Sequence, residues 1–505
     1  MNTPRVRKLV VCVSAFSMVL GNALIAQGTA PAQPGPPASS ASASTPAPYT
    51  LPAFMPADSK SADSTPSKLK HYVITDYGAV ADGTTMNTAA IQKAIDAANA
   101  AGGGVLEIPK GTFLSGSIFL KKGVEMYLDE GAVLLGSQNI ADYPTQQTRI
   151  EGHFTAWPVA LVNATQMDHV RITGQGQLNG NGAPYWAAFR GARGAANLDV
   201  PRPRLMFIDR CTDVRVEGIS FQDSGFWNLH LYHCSDVHII SLSINAPGGS
   251  PSTDGIDVDS CQNLYIQSCQ ISNNDDDIAL KGSKGPHADL DTDSPPDENI
   301  LIENCLIGNG NGLLTCGSEA TIVRNVLARN CTIMGNAKML TLKLRPDTPQ
   351  HYSNITLDHI TLNGTGSMVG VAPWTQYFDL QGQPGPARSI DNIVVSNITG
   401  SFGSFGGLRG NVANPQRGTL GDTIGNFTFE NINVTLRSPA PLSHGEVDNL
   451  VYKNVIVNGE PVEAPPATAG GGGRPGPAAG SSGAAASANS AAPTPPSASG
   501  ATASP

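Results

Sequence analysis

The sequence is short of positive charge. Across 505 residues it has 31 Lys and Arg against 41 Asp and Glu, a formal net charge of −10. Nucleic-acid binding takes its affinity from clustered basic side chains, so that class of partner is excluded. Any other polyanionic partner would need a locally basic site. A second long apolar run is missing too. Residues 1–26 place Arg5, Arg7 and Lys8 ahead of an apolar stretch from Leu9 to Leu24, with small residues around Ala23 and Ala26. That is the pattern of a secretory signal. The stretch is short and broken by Ser14, Ser17 and Asn22, and no later segment is apolar enough to cross a bilayer. A secreted or periplasmic protein is expected, with no membrane insertion after the signal is cleaved.

An even set of cysteines is also lacking. Of eight, Cys12 lies in the signal, which leaves seven. Disulfides would suit an exported chain, but the register described below favours free thiols stacked in a core. Metal-ligand spacing is absent as well. Asp289, Asp291 and Asp293 imitate the start of a calcium loop, yet Ser294 stands where glycine is needed and Ile300 where the bidentate acid is needed. His287 and His351 have no second ligand at metal spacing. No metal and no cofactor is called for, and the segment 289–293 reads as an exposed insertion.

Residues 27–69 are rich in Pro, Ala and Ser, and residues 461–505 in Ala, Gly, Ser and Pro. Such stretches bury too little surface to fold. Residues 70–460 remain, enough for one long domain, expected to be a monomer.

What fills that domain is a repeat. From residue 213 an Asn or Asp precedes an apolar anchor nine times: Val214, Val237, Leu264, Ile300, Val326, Ile355, Ile393, Phe427 and Leu450. Further apolar residues follow two, five and seven positions on. Period two, a break, then period two again reads as strand, bend, strand with alternate side chains inward. The anchors lie 23 to 38 residues apart, which is solenoid spacing with insertions. Each coil must stack on its neighbours to bury its apolar face. Cys269, Cys305 and Cys331 share the position five after the anchor, and Cys211, Cys234 and Cys261 the position three before it. The fold expected is all-β, a right-handed parallel β-helix. Thr88 to Ala101, with Ile91, Ala94, Ile95 and Ala98 on one face and Asn87 or Thr88 as N-cap, reads as an N-terminal capping helix closed by Gly102-Gly103-Gly104.

Each coil has a third strand. Successive coils read Asp254-Gly255-Ile256-Asp257-Val258-Asp259, then Asp275-Asp276-Asp277-Ile278-Ala279-Leu280-Lys281, Asn311 to Cys316, and Met339 to Arg345. If Ile256, Val258, Ile278, Leu280, Leu340 and Leu342 point inward, then Asp257, Ala279, Lys281, Thr341 and Lys343 share the outer face. Asp254 and Asp276 each precede the first inward Ile by two, so on rungs about 4.8 Å apart they face one groove, with Asp275 beside them. Asp at a strand start can simply close a turn. Three carboxyls on adjacent rungs repel one another, and one is expected to keep its proton at neutral pH. That suits glycoside hydrolysis, in which a protonated carboxyl donates to the leaving oxygen and an ionised one activates water. Lys281, Lys343 and Arg345 can form a local basic patch, and with Asn311 and Asp257 they are the candidate substrate-binding residues. Trp186, after Gly180-Asn181-Gly182, suits either a sugar platform or the core.

At these residues the chain resembles glycoside hydrolase family 28, the polygalacturonase family. The likeness runs from about Ile74 to Val457. It is carried by Thr253-Asp254-Gly255-Ile256-Asp257, by Asp275-Asp276 and by Gly317-Ser318-Glu319. The Tyr77-Gly78-Ala79 opening with Asp82-Gly83, and Phe226-Trp227-Asn228-Leu229-His230, add to it. The resemblance implies an inverting hydrolase of pectic polysaccharide or oligosaccharide, with Asp275 the general acid and Asp254 and Asp276 holding and activating water. The chain departs from the family at three places. Ser252 replaces Asn before Thr-Asp, Asn311 replaces the His of Gly-His-Gly, and Thr341 replaces the Arg of Arg-Ile-Lys. In the family that His and Arg assist the acid and bind the substrate carboxylate, and Arg345 is the candidate to replace the Arg. Two other readings share the fold: a calcium-dependent pectate lyase, and a carbohydrate-binding β-helix without catalysis.

Overall fold

The structure, a computed structural model, describes residues 68–414 and 420–466. The signal expected over 1–26, nearly all of the linker 27–69 and most of the tail 461–505 lie outside the described residues. Those described belong to one compact unit, Pro48–Pro505.

The chain winds as a right-handed parallel β-helix with three strands to a typical coil, for example Thr212–Glu217, Ser220–Gln222 and Leu229–Tyr232. The register is the one the repeat demands. Val214 pairs with Val237, Val237 with Leu264, Leu264 with Ile300, and so on through Ile393, Phe427 and Leu450. Parallel pairing sets like position on like position. One apolar choice per coil therefore becomes a continuous inner column, and Val214, Val237, Leu264 and Ile300 are fully buried.

The two breaks in the period-two pattern are single residues in the left-handed region. The Asn or Asp before each anchor has φ between 50° and 60°, from Asp213 to Asn449. Asn and Asp tolerate this conformation better than other side-chain-bearing residues. Their side chains then join coil to coil: Asn263 donates to Asp236 at 3.1 Å, Asn299 to Asn263 at 3.1 Å, Asn325 to Asn299 at 3.3 Å and Asn354 to Asn325 at 3.2 Å. Four residues after each anchor a second left-handed row runs through Ser268, Asn304, Asn330, Asn397, Asn431 and Asn454. All seven described cysteines are buried free thiols, as the stacked-core reading required.

The solenoid starts earlier than the repeat shows. Val170 pairs with Val214, and the coils before it run back to His71–Val73. Helix Thr88–Ala100 buries Ile91, Ala94, Ile95 and Ala98 against this first coil. Asn87 stands at its N-cap but makes no capping bond. Its amide instead ties Val80, Thr85 and Leu114 together.

One element breaks the parallel plan. Thr145–Ile150 and His153–Pro158 form an antiparallel hairpin that folds over the outer face of the third-strand sheet. Its Arg149 reaches Asp259 at 3.0 and 3.2 Å and Ser283 at 3.1 Å. The turn at Gly152 fits so closely that an added Cβ would sit 2.9 Å from the Gly282 carbonyl. Asp289, Leu290, Thr292 and Asp293 are exposed, as an insertion should be, while Asp291 lies 3.8 Å from Arg149 and the Asp293 carbonyl accepts from Tyr232 at 2.7 Å.

Candidate active site

The third strands stack into an eleven-stranded sheet. Ile256 pairs with Ile278, Ala279 with Thr315 and Leu314 with Leu340. Carried back beyond the strand starts, that register puts Asp254, Asp276 and Gly312 in one column and Asp275 and Asn311 in the next. Backbone bonds follow the same register, Gly255 N–H to Asp276 O at 2.9 Å and Asp277 N–H to Gly312 O at 3.2 Å. One carboxylate oxygen from each of Asp254, Asp275 and Asp276 lies within 4.8 Å of the other two. These oxygens are the only set of three or more His, Cys, Asp or Glu ligand atoms among the described residues close enough to share a cation.

Each acid has a different surrounding. Asp276 is buried; Lys343 Nζ donates to it at 2.6 Å and Thr315 Oγ1 at 3.1 Å. Asp254 is also buried and faces Lys281 Nζ at 3.1 Å. Burial pushes it well above the usual carboxylate range, Asp257 and Asp276 add to this, and Lys281 opposes it. Asp275 is only half-buried. Its Oδ1 accepts from Asn311 Nδ2 at 2.9 Å and from the Asp276 N–H at 3.1 Å. Burial, and then the charges of Asp254 and Asp276, raise it to about 7. Asp275, the member open to solvent, is thus raised to where it can hold a proton near neutrality.

The outer-face residues face outward from the sheet, but the patch they form is not free. Lys281 lies 3.3 Å from Asp257 and 4.0 Å from Glu319, with its ammonium 4.6 Å from the Trp227 ring centre. Burial works against its charge, and Asp254 and Asp257 override this to hold its pKa well above the ordinary value. Asp257 is fully enclosed and raised to about 7 by burial, against Lys281. Lys343 packs against Trp374. Arg345 is apart from the acids: its guanidinium binds Asp347 at 2.9 and 2.7 Å and is buried. Thr341 Oγ1 donates to the Asn311 carbonyl at 3.4 Å. Trp186 is a wall residue, its indole N–H donating to Ser224 O at 2.9 Å.

Two features escaped the sequence reading. Asp277 points away from the groove under Gly310, where an added Cβ would sit 2.2 Å from its Oδ2. Neither of its oxygens has a hydrogen-bond partner, and burial raises its pKa well above the ordinary carboxylate range. The second is the support behind the sheet. Arg204 Nη1 meets His230 Nδ1 at 2.7 Å, burial lowers His230 to about 3, and Arg149 closes over Asp259. The signal for the first was the third Asp of the run; the second joins residues far apart in sequence and left no local mark.

Against known proteins, the model of glycosyl hydrolases family 28 matches residues 104–455. A probable polygalacturonase of Vitis vinifera is 33% identical over 221 residues, 41% of this chain and 43% of that protein, so the match spans less than half of it. The exo-poly-alpha-D-galacturonosidase of Dickeya chrysanthemi is 25% identical over 461 residues, 77% of this chain and 72% of that one. Among solved structures, a hyperthermoactive exopolygalacturonase from Thermotoga maritima superposes with TM-score 0.66 at 22% identity, over 79% of this chain and 95% of that one, a likeness of fold. The chain belongs to glycosyl hydrolase family 28.

Proposed function

We propose that this is an exported hydrolase of pectic polysaccharide that removes α-linked galacturonate from chain ends. The observation that carries the reading is Asp275, half-buried, raised to about 7 and set beside two buried carboxylates. Asp275 donates its proton to the leaving oxygen, while Asp276, held by Lys343, and Asp254, held by Lys281, position and activate water. Support for galacturonan and for end attack comes from relatives named exo-poly-alpha-D-galacturonosidase and, in Zea mays, exopolygalacturonase. The hairpin over the sheet face is in keeping with a site that receives a chain end. The N-terminal basic and apolar run supports export, and among the described residues no helix is long and apolar enough to cross a membrane.

The test is chromatography of early digests of polygalacturonate and rhamnogalacturonan. Short galacturonate products from the first minutes are expected. A ladder of intermediate oligomers would overturn end attack, an ultraviolet-absorbing unsaturated product would mean elimination, and no product from either would leave a binding protein. Inversion, implied by the family, needs a separate check. The acid oxygens approach within 4.8 Å, closer than the roughly 6.5–9.5 Å carboxyl separation usual for inverting enzymes. Proton NMR of the first product should show the β-anomer, and an α-anomer would overturn inversion.

A further inference from the structure

The cations the sequence offered for an acidic substrate, and the others near the three acids, mostly have a protein partner already. Lys281 serves Asp254 and Asp257, Lys343 serves Asp276, and Arg345 serves Asp347. Arg202 has no carboxylate within ion-pair distance among the described residues, but it is fully enclosed. Its guanidinium lies between the Phe189 and Phe226 rings and donates to Pro251 O at 2.9 Å. That leaves Lys338.

Lys338 belongs to the column that contains the acids. Leu314 pairs with Leu340, and Leu313 N–H donates to Lys338 O at 2.8 Å. This continues the ladder in which Gly255 N–H meets Asp276 O and Asp277 N–H meets Gly312 O. Asp254, Asp276, Gly312 and Lys338 therefore follow one another on successive coils. Lys338 is two rungs beyond Asp276, about 10 Å along the stack. The intervening residue is Gly312, which has no side chain to block the approach. Lys338 is half-buried, and no carboxylate lies within ion-pair distance of it among the described residues. Burial, then the neighbouring Lys343, lower its pKa, and Asp276 only partly opposes them. A half-buried ammonium beside another ammonium is a cost to the folded state that an incoming carboxylate would relieve.

We propose that Lys338 is a specificity residue that binds a substrate uronate carboxylate, in place of the arginine that Thr341 replaces. Thr341 carries no charge, sits three residues further along the same coil, and is bonded to the Asn311 carbonyl. The inference rests on the galacturonan reading and names the cation that reads the acid.

The test compares wild type, Lys338→Gln and Lys338→Arg on trigalacturonate and on its methyl ester. Hydrogen bonds between charged groups are worth enough to change binding by about tenfold or more. For Lys338→Gln, KM for the acid should rise by roughly that factor with kcat changed far less. KM for the ester should not move, and Lys338→Arg should restore most of the loss. The excess KM should shrink at high salt. Calorimetry of trigalacturonate binding to Asp275→Asn, with and without Lys338→Gln, should show the same difference without turnover. If wild type cleaves trigalacturonate and Lys338→Gln matches it, or loses equally on acid and ester, the assignment is wrong. If wild type neither binds nor cleaves trigalacturonate, the galacturonan reading itself fails and this falls with it.

Discussion

Asp and Asn do opposite work in two parts of this solenoid. Before the anchors they sit at the surface in left-handed turns, each amide bonded to the next coil, as in Asn263 to Asp236 and Asn299 to Asn263. In the third-strand sheet the same stacking brings Asp254, Asp275 and Asp276 together as carboxylates, where they repel. An amide ladder is self-complementary because each side chain has both donor and acceptor. A carboxylate ladder is not, and it persists only with lysines and shared protons. Identical stacking thus stabilises one row and strains the other, and the strained row is the candidate active site.

The sharpest way to break this comparison is to remove the proton donor. Asp275→Asn keeps shape and relieves repulsion with Asp254 and Asp276. Turnover should fall by about 10²–10⁴, the usual worth of a positioned general acid. Melting temperature should stay the same or rise. A substrate whose leaving group departs unprotonated should recover part of the rate, and Asp254→Asn should show no such rescue. Near-normal turnover by Asp275→Asn on the true substrate would remove the acid assignment.

The buried acid beside the strained row, Asp257, should show itself in stability against pH. Asp257 is fully buried and its pKa rises from 3.8 to about 7 on folding, chiefly through burial. Between those values the folded state holds a proton that the unfolded chain has released. Its contribution is fully present below the unfolded value and is lost as pH rises through about 7. The size is on the order of a few kcal/mol, since each unit is worth about 1.4. Below pH 4 the opposite sign takes over as Asp259, held low against burial by Arg149, and Glu319, held at about 2 against burial by Lys281, become protonated. Melting temperature should therefore peak in mild acid and fall towards pH 8, and Asp257→Asn should flatten that fall. Parallel wild-type and variant curves would place the strain elsewhere.

Much of this was legible in the sequence because stacking is repetitive. Nine anchors with their preceding Asn or Asp specify coil, register and inner face together. The repeat register of the earlier coils was not legible, since the same positions are held there by other residues: His169 takes the left-handed turn before Val170, at φ 64°. At the site, the three acids and the outer phase of Lys281 and Lys343 could be read from the period of two. What those lysines bind could not be, because Lys343 meets Asp276 from 67 residues away. The Arg345 to Asp347 pair is local and was readable in principle from Arg345-Pro346-Asp347. Lys338 lies in the irregular segment just before the strand Leu340–Leu344, where periodicity says nothing.

The smallest expected effect comes from the relaxed row. Asn299 sits at φ 60°, donates to Asn263 at 3.1 Å and accepts from Asn325 at 3.3 Å. Asn299→Ala forces a Cβ-bearing residue with no local hydrogen bonding into the left-handed region and removes one ladder bond from each of Asn263 and Asn325. The left-handed strain costs about 1–2 kcal/mol, and each partly exposed hydrogen bond adds about 0.5–1 kcal/mol at most. Asn299→Gly removes the bonds but not the conformation, so it should cost less than Ala. Neither change touches the acids, so kcat and KM should match wild type. Denaturant melts of the two variants would measure the gap. If Gly proved as damaging as Ala, the turn conformation would not be what selects Asn there, and the ladder's hydrogen bonds alone would hold that row.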